Sequence, residues 1–325
     1  MIAYIIRRVA YAVPILIGVN LITFFLFFVV NSPEDMARMH LGTKRVTQEA
    51  IDNWKRDHGY DQPLLWNGEA SGTGQLTETI FFQKSVSLFV FDFGRSDNGR
   101  EIGYDIGQRM WPSLAIAVPT LIVGLLVYIT FALVLVFFRA TYVDFWGVVL
   151  GVVMMSISPL FYIILGQFVV GKLLDLVPIS GYESGLGAWK FLVLPVAVGV
   201  FASFGTETRW SRTIFLEETG KDYVRTARAK GLPERLVLFR HTLRNALIPI
   251  LTRIVAVLPL LFMGSLITES FFGIPGLGSY TIDAINSQDF AIVRSMVFLG
   301  SVLYIIGLLL TDISYTIVDP RVRLE

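Results

Sequence analysis

EETGKDYVRTARAKGLPERLVLFRHTLRNALIP, residues Glu217–Pro249, is a polar, basic island between two apolar runs. Its order has a physical logic. Acids come first (Glu217, Glu218, Asp222) and bases later (Arg225, Arg228, Lys230), which complements a helix dipole. Gly231 can close that helix in the left-handed region, and Pro233 suits the first turn of the next. The pattern predicts a short helix, a sharp turn and a second helix. Ala227, Ala229 and Gly231 leave the turn with little side-chain bulk, so another protein's backbone could approach closely. A loop needing only solubility has no use for that spacing. The plainer reading is a basic loop held inside the cell by its charge.

The rest of the chain says where this island sits. Of 325 residues, 54% are hydrophobic and 16% charged, against roughly 25% charged in soluble domains. Mean hydropathy is +0.63. The net charge of +1 and the lack of a basic tail give no footing for nucleic acid. With no cysteine there is no disulfide, cysteine-bound zinc or iron–sulfur cluster within the chain. The class is an all-α integral membrane protein.

About six spans are expected. Arg7 and Arg8 precede an uncharged run, Val9–Val30. A secretory signal would have an apolar region of about 7–15 residues and a small-residue cleavage site. This run is longer and ends in Asn31-Ser32-Pro33, so it reads as a retained span. Asn31–Arg109 is polar. It contains a helix around Thr47–His58, a turn-rich stretch at Asn67–Gly74, and an apolar segment, Phe81–Phe93. That segment is too short to span and reads as a hairpin or an interfacial helix. Further spans follow at Trp111–Phe138, at Phe145–Gly171 with Ser156, Ser158 and Pro159 inside it, and at Trp189–Thr206, with room to extend past Glu207 and Arg209. The last two are Leu247–Phe272 and Ala291–Ile317, joined by a turn-rich loop, Gly273–Phe290. A proline within a span frees a backbone carbonyl that neighbours must satisfy. Ser156, Ser158 and Pro159 are therefore either a kink lining a pathway or a packed kink with no transport role. The divisions are residues 1–30, an external insert at 31–110, a core at 111–317 with its polar loop at 209–246, and a tail at 318–325.

Charge orients the spans. Arg209–Arg244 holds nine Lys or Arg against four acids, and the short loops on the opposite side hold no base before Arg294. Both termini then lie in the cytoplasm. Three classes of function compete. The first is a transport subunit driven by a separate ATPase. Gly220-Lys221 lacks the glycine and hydroxyl residue of a phosphate-binding loop, with Phe215 and Asp222 in their places, so any ATP must be bound elsewhere. The second is an ion-coupled carrier, which usually buries carboxylates or histidines mid-membrane. Here Glu207, Arg209, Arg253, Glu269, Arg294 and Asp312 fall near the span ends. The third is an intramembrane enzyme, but His40, His58 and His241 all lie outside the spans. No metal site is expected.

DYVRTARAKGL followed by RHTLRNALIP resembles the coupling loop of ABC-transporter permeases, in the variant found in dipeptide and oligopeptide importers. Gly231 takes that loop's glycine position. Arg225, Thr226 and Ala227 stand where the general pattern has Glu-Ala-Ala, and His241, Leu243 and Arg244 where it has Ile, Leu and Pro. Further likenesses are the Arg-Arg start, Asp92-Phe93-Gly94-Arg95-Ser96, SISPLF at Ser156–Phe161, VPISGY at Val177–Tyr182 and the terminal Asp319-Pro320-Arg321. The resemblance implies the type I ABC importer permease fold in a bacterial inner membrane, with a periplasmic insert after the first span. It implies a coupling contact made by Tyr223, Arg225, Thr226, Ala227, Arg228, Ala229, Lys230, Gly231 and Leu232. It also implies a homologous second permease, two ATP-binding subunits that carry ATP and Mg, and a periplasmic or lipid-anchored binding protein that delivers peptide. Relatives importing nickel chelates, glutathione or opines keep the cargo open.

Overall fold

A computed structural model describes residues 2–42 and 46–318. The terminal Asp319-Pro320-Arg321 lies outside the described residues. Among the described residues, five helices are long and apolar enough to cross a membrane: Ile6–Val30, Ile102–Phe137, Trp189–Thr219, Glu234–Met263 and Phe290–Ser314. Tyr142–Met155 and Pro159–Leu173 meet at 89° and together are long and apolar enough to make a sixth when counted as one broken span. The break falls at the Ser-Ile-Ser-Pro stretch. Ser156 caps one helix, and Pro159 begins the next at a position that needs no N–H donor. Ile122, Leu126, Ile164 and Phe168 are exposed, as suits side chains facing hydrocarbon.

Several boundaries differ from those expected. The second span starts at Ile102 rather than Trp111, because the polar turns around Asp105 and Arg109 are already helical. The fourth runs to Thr219, not Thr206, and so takes in Glu217 and Glu218. Those two acids therefore end a long helix and do not begin the short one. The fifth span begins far earlier than Leu247, at Glu234, and stops at Met263 instead of Phe272. Pro259 tightens its last turn to a 3-10 helix, and Gly264 breaks it at φ +68°. Leu266–Phe272 is a separate helix. The stretch expected as a loop after Gly273 is largely helical, Leu277–Ser287.

The described residues divide into two compact units. One holds the residues up to Arg109 together with Tyr280–Leu309. Its core joins Phe24 and Phe28 of the first span to Met36, Ile51, Trp54 and Ile80 of the insert. Ser32 and Asp35 form a reciprocal capping box that starts the helix Pro33–Leu41. The helix expected near Thr47–His58 is Gln48–Asp57, with Thr47 accepting from the Ala50 N–H and His58 as the C-cap. Most of Phe81–Phe93 is helical, as Ile80–Lys84 and Val86–Val90, and Phe91 ends the second helix in the left-handed region, so the hairpin alternative falls.

The other unit holds Met110–Ser279 and residues from Leu310 onward. Its closest helix contact is between Tyr142–Met155 and Trp189–Thr219. A Cβ built on Gly205 would stand 2.1 Å from the Gly151 carbonyl oxygen. Small residues at such a crossing let two backbones meet within a membrane. Arg212 clamps the same two helices, donating from Nε and Nη2 to the Asp144 carboxylate at 3.0 and 2.8 Å.

Candidate functional site

The loop helix spans Asp222–Ala229. Lys221 lies before it in extended conformation, which separates it from the fourth span. Asp222 sits in its first turn and Arg228 in its last, the arrangement its dipole favours. Gly231 ends it at φ +75°. The Gly231 N–H donates to the Arg228 carbonyl at 2.9 Å, and the Leu232 N–H to the Ala227 carbonyl at 3.4 Å. These two bonds make a Schellman cap, the motif that a left-handed residue after a helix permits. Pro233 follows in extended conformation and Glu234 opens the fifth span. The expected helix, turn and helix are present, one turn later at the start than the acids suggested.

The nine residues assigned to this site divide by face. Tyr223 and Leu232 pack against a small core of Val224, Ala227 and Val237. Arg225, Thr226, Arg228, Ala229, Lys230 and Gly231 are exposed. The first group holds the hairpin together, and the second is open to a partner. Nothing stands within 4 Å of a Cβ built on Gly231, so the turn's outer side is bare.

Three supporting contacts were not foreseen from sequence. Glu218 accepts a 2.5 Å hydrogen bond from the Tyr223 hydroxyl. Burial, together with that carboxylate, pushes the Tyr223 phenol up to about 12. Glu234 takes both ends of the Arg228 guanidinium, at 3.0 and 2.6 Å, and so ties the loop helix to the next one across the turn. This pair is half exposed and adds only about 0–1 kcal/mol. The Glu-to-Arg spacing across a Gly-Leu-Pro turn was the available signal. Arg212, by contrast, was counted only as a positive charge. Its partner Asp144 lies 68 residues away, too far for any local pattern to reveal.

The same unit contains a cavity of about 500 Å³ lined by Ser113, Tyr128, Pro159, Glu207, Arg253 and Glu269 among others. Its wall is mostly apolar. Arg253 donates to Glu207 at 2.8 Å and lies 4.3 Å above the Trp210 ring. Glu269 is 1% exposed and accepts N–H bonds from Ser265 and Ser279, both at 3.1 Å. Of the three residues considered for a pathway, Pro159 reaches this cavity. Ser156 and Ser158 are not among its lining residues, and the Ser156 hydroxyl turns back to the Val152 carbonyl at 2.8 Å. Among the described residues, no cluster of His, Asp and Glu could hold a metal ion.

Residues 113–324 match the family described as "Binding-protein-dependent transport system inner membrane component". Residues 1–69 match that family's N-terminal region. The chain is 32% identical, over all of both chains, to a putative peptide transport system permease protein of Brucella abortus. It is 28% identical to an oligopeptide transport system permease protein of Bacillus subtilis, covering 99% of this chain and 100% of that one. It is 28% identical to a glutathione transport system permease protein of Salmonella paratyphi A, covering 99% of each.

Proposed function

We infer how this chain works from the premise that it belongs to the binding-protein-dependent transport system inner membrane components. It is a multi-pass inner-membrane permease subunit. Its cargo, on this reading, is peptide, as in the names of its Brucella and Bacillus relatives. Both termini and the loop helix lie in the cytoplasm, and the insert after the first span faces outward. The loop helix docks on a separate ATP-binding subunit. Arg225, Thr226, Arg228, Ala229, Lys230 and Gly231 meet that partner, while Tyr223, Ala227 and Leu232 brace them from within. Two such ATPases, which hold the ATP and Mg, and a homologous second permease complete the transporter. An external binding protein delivers the cargo. The cavity containing Pro159, Glu207 and Glu269 is this subunit's share of the pathway, and the break at Ser156–Pro159 is the joint beside it.

The observation that carries this reading is the capped turn at Gly231. A loop kept only for positive charge does not need a left-handed glycine, two cap bonds and a bare outer face. The test is gentle detergent extraction of the chain from its own cell, with partners identified by mass spectrometry. Recovery of a second multi-span permease and of P-loop ATPases is the expected result. Recovery of the chain alone, under extraction that keeps similar complexes whole, would overturn it in favour of an ion-coupled carrier.

A further inference from the structure

The unit that contains the insert has its own cavity, of about 740 Å³. Lys84, Tyr60, Asp92, Asp97 and Arg294 are on its wall. Arg294 is 3% exposed, and its Nε has no hydrogen-bond partner among the described residues. The Phe28 ring centre lies 5.2 Å from the Arg294 guanidinium carbon. No carboxylate stands within 4.0 Å of it or of Lys84 among the described residues. Lys84 lies 5.4 Å from the Tyr60 ring centre. Burial holds the Lys84 ammonium below its usual range, and the Arg294 charge lowers it further.

The acids nearby are already engaged. Asp97 stands 3.5 Å from His58 and 3.8 Å from His40. Asp92 accepts the Gly94 N–H at 3.1 Å. Asp289 accepts the N–H groups of Asp97 and Ile292, at 2.8 and 3.1 Å. Those bonds leave the carboxylates charged, and Asp289 and Asp92 still attract Arg294 and Lys84 from a distance, but neither acid comes within 4.0 Å, so the two cations face one another around an open volume with no direct partner, one of them almost wholly buried. Burying an unpaired charge is costly, and bringing a second like charge beside it adds to the cost. An anion between them reverses both penalties. The guanidinium fork suits two oxygens of one planar or tetrahedral group, and Tyr60, a buried residue that lines the same cavity, has a hydroxyl that can donate a third bond.

We propose that this cavity binds an anionic oxygen group, a carboxylate or a phosphate, held by Arg294, Lys84 and Tyr60. Two sources can supply such a group: a soluble metabolite or the headgroup of an anionic lipid.

The test uses the full chain in phosphatidylcholine nanodiscs, with the thermal unfolding midpoint as readout. Inorganic phosphate and succinate are titrated in one arm. In the other, phosphatidylglycerol replaces part of the lipid. Occupancy at about a hundred times Kd raises the midpoint by about 5 °C. Arg294→Met is expected to abolish that rise, and Lys84→Gln to weaken anion affinity by about tenfold or more. A rise with phosphate or succinate identifies a soluble ligand. A rise with phosphatidylglycerol alone identifies the headgroup. No rise in either arm, or an equal rise in wild type and Arg294→Met, overturns the proposal. If Arg294→Met does not fold, Lys84→Gln decides by the same comparison, and an undiminished affinity in that variant overturns the site.

Discussion

Gly231→Val is expected to leave the chain folded in the membrane and to reduce ATP-driven transport by more than about tenfold. The position demands a left-handed backbone, φ +75°, which costs an L-residue about 1–2 kcal/mol; a β-branched side chain is a rarer occupant still. Space is not the obstacle, since a Cβ there would meet nothing within 4 Å. The strain can relax only by undoing the cap, which loses the bonds from Gly231 to Arg228 and from Leu232 to Ala227. Each is a net loss of about 1 kcal/mol. A penalty of about 2–3 kcal/mol on the docking conformation lowers its population by about 30- to 160-fold. The spans are untouched, so membrane yield should match wild type while transport falls and partner ATPase activity no longer depends on cargo. Gly231→Ala should sit between the two. Normal transport by the valine variant would show that the turn's geometry is not what the partner reads.

Gly205→Ala should fail differently, by loss of the folded protein. The new methyl group would stand 2.1 Å from the Gly151 carbonyl oxygen and 2.9 Å from the Met155 nitrogen. Both are backbone atoms and cannot rotate away. The helices Tyr142–Met155 and Trp189–Thr219 must part, and the Arg212–Asp144 clamp that joins them must stretch. Overpacking against fixed backbone costs about 3 kcal/mol, the upper end of the usual range, a fall of about 5–10 °C in unfolding midpoint. Gly151→Ala is the control across the same contact. Its Cβ would find nothing nearer than 3.8 Å, and alanine improves a helix interior by up to about 1 kcal/mol. It should therefore match wild type or exceed it. Equal damage from both substitutions would contradict this packing.

The sequence carried local information well. Gly231 announced a positive φ and Thr47 a helix start, and both are present; Pro159 announced a kink in the third span, where the structure has a full break of 89°. Each depends on the backbone chemistry of one or two residues. Span lengths were less legible. Polar turns at Ile102–Arg109 and Glu234–Arg240 continue helices that hydropathy alone ends early, because a helix does not stop where the hydrocarbon does. Long-range pairs were not legible. Glu207 with Arg253, Asp144 with Arg212, and Gly205 against Gly151 join residues 46, 68 and 54 positions apart. Arg294 was recognised as a charge at a span end, but only the fold reveals that it is buried and that, among the described residues, no carboxylate comes within 4.0 Å of it.

The most direct test of the coupling account exploits the absence of native cysteine. Single cysteines at Arg225 and Ala229, on the exposed face of the loop helix, are cross-linked in the assembled transporter. Val224→Cys, on the buried face of the same helix, serves as the control. The account predicts cross-links from Arg225→Cys and Ala229→Cys to a P-loop ATPase, with yields that change when ATP is added, and none from Val224→Cys. Failure of both exposed positions to reach the ATPase in an intact, transport-active complex would contradict it.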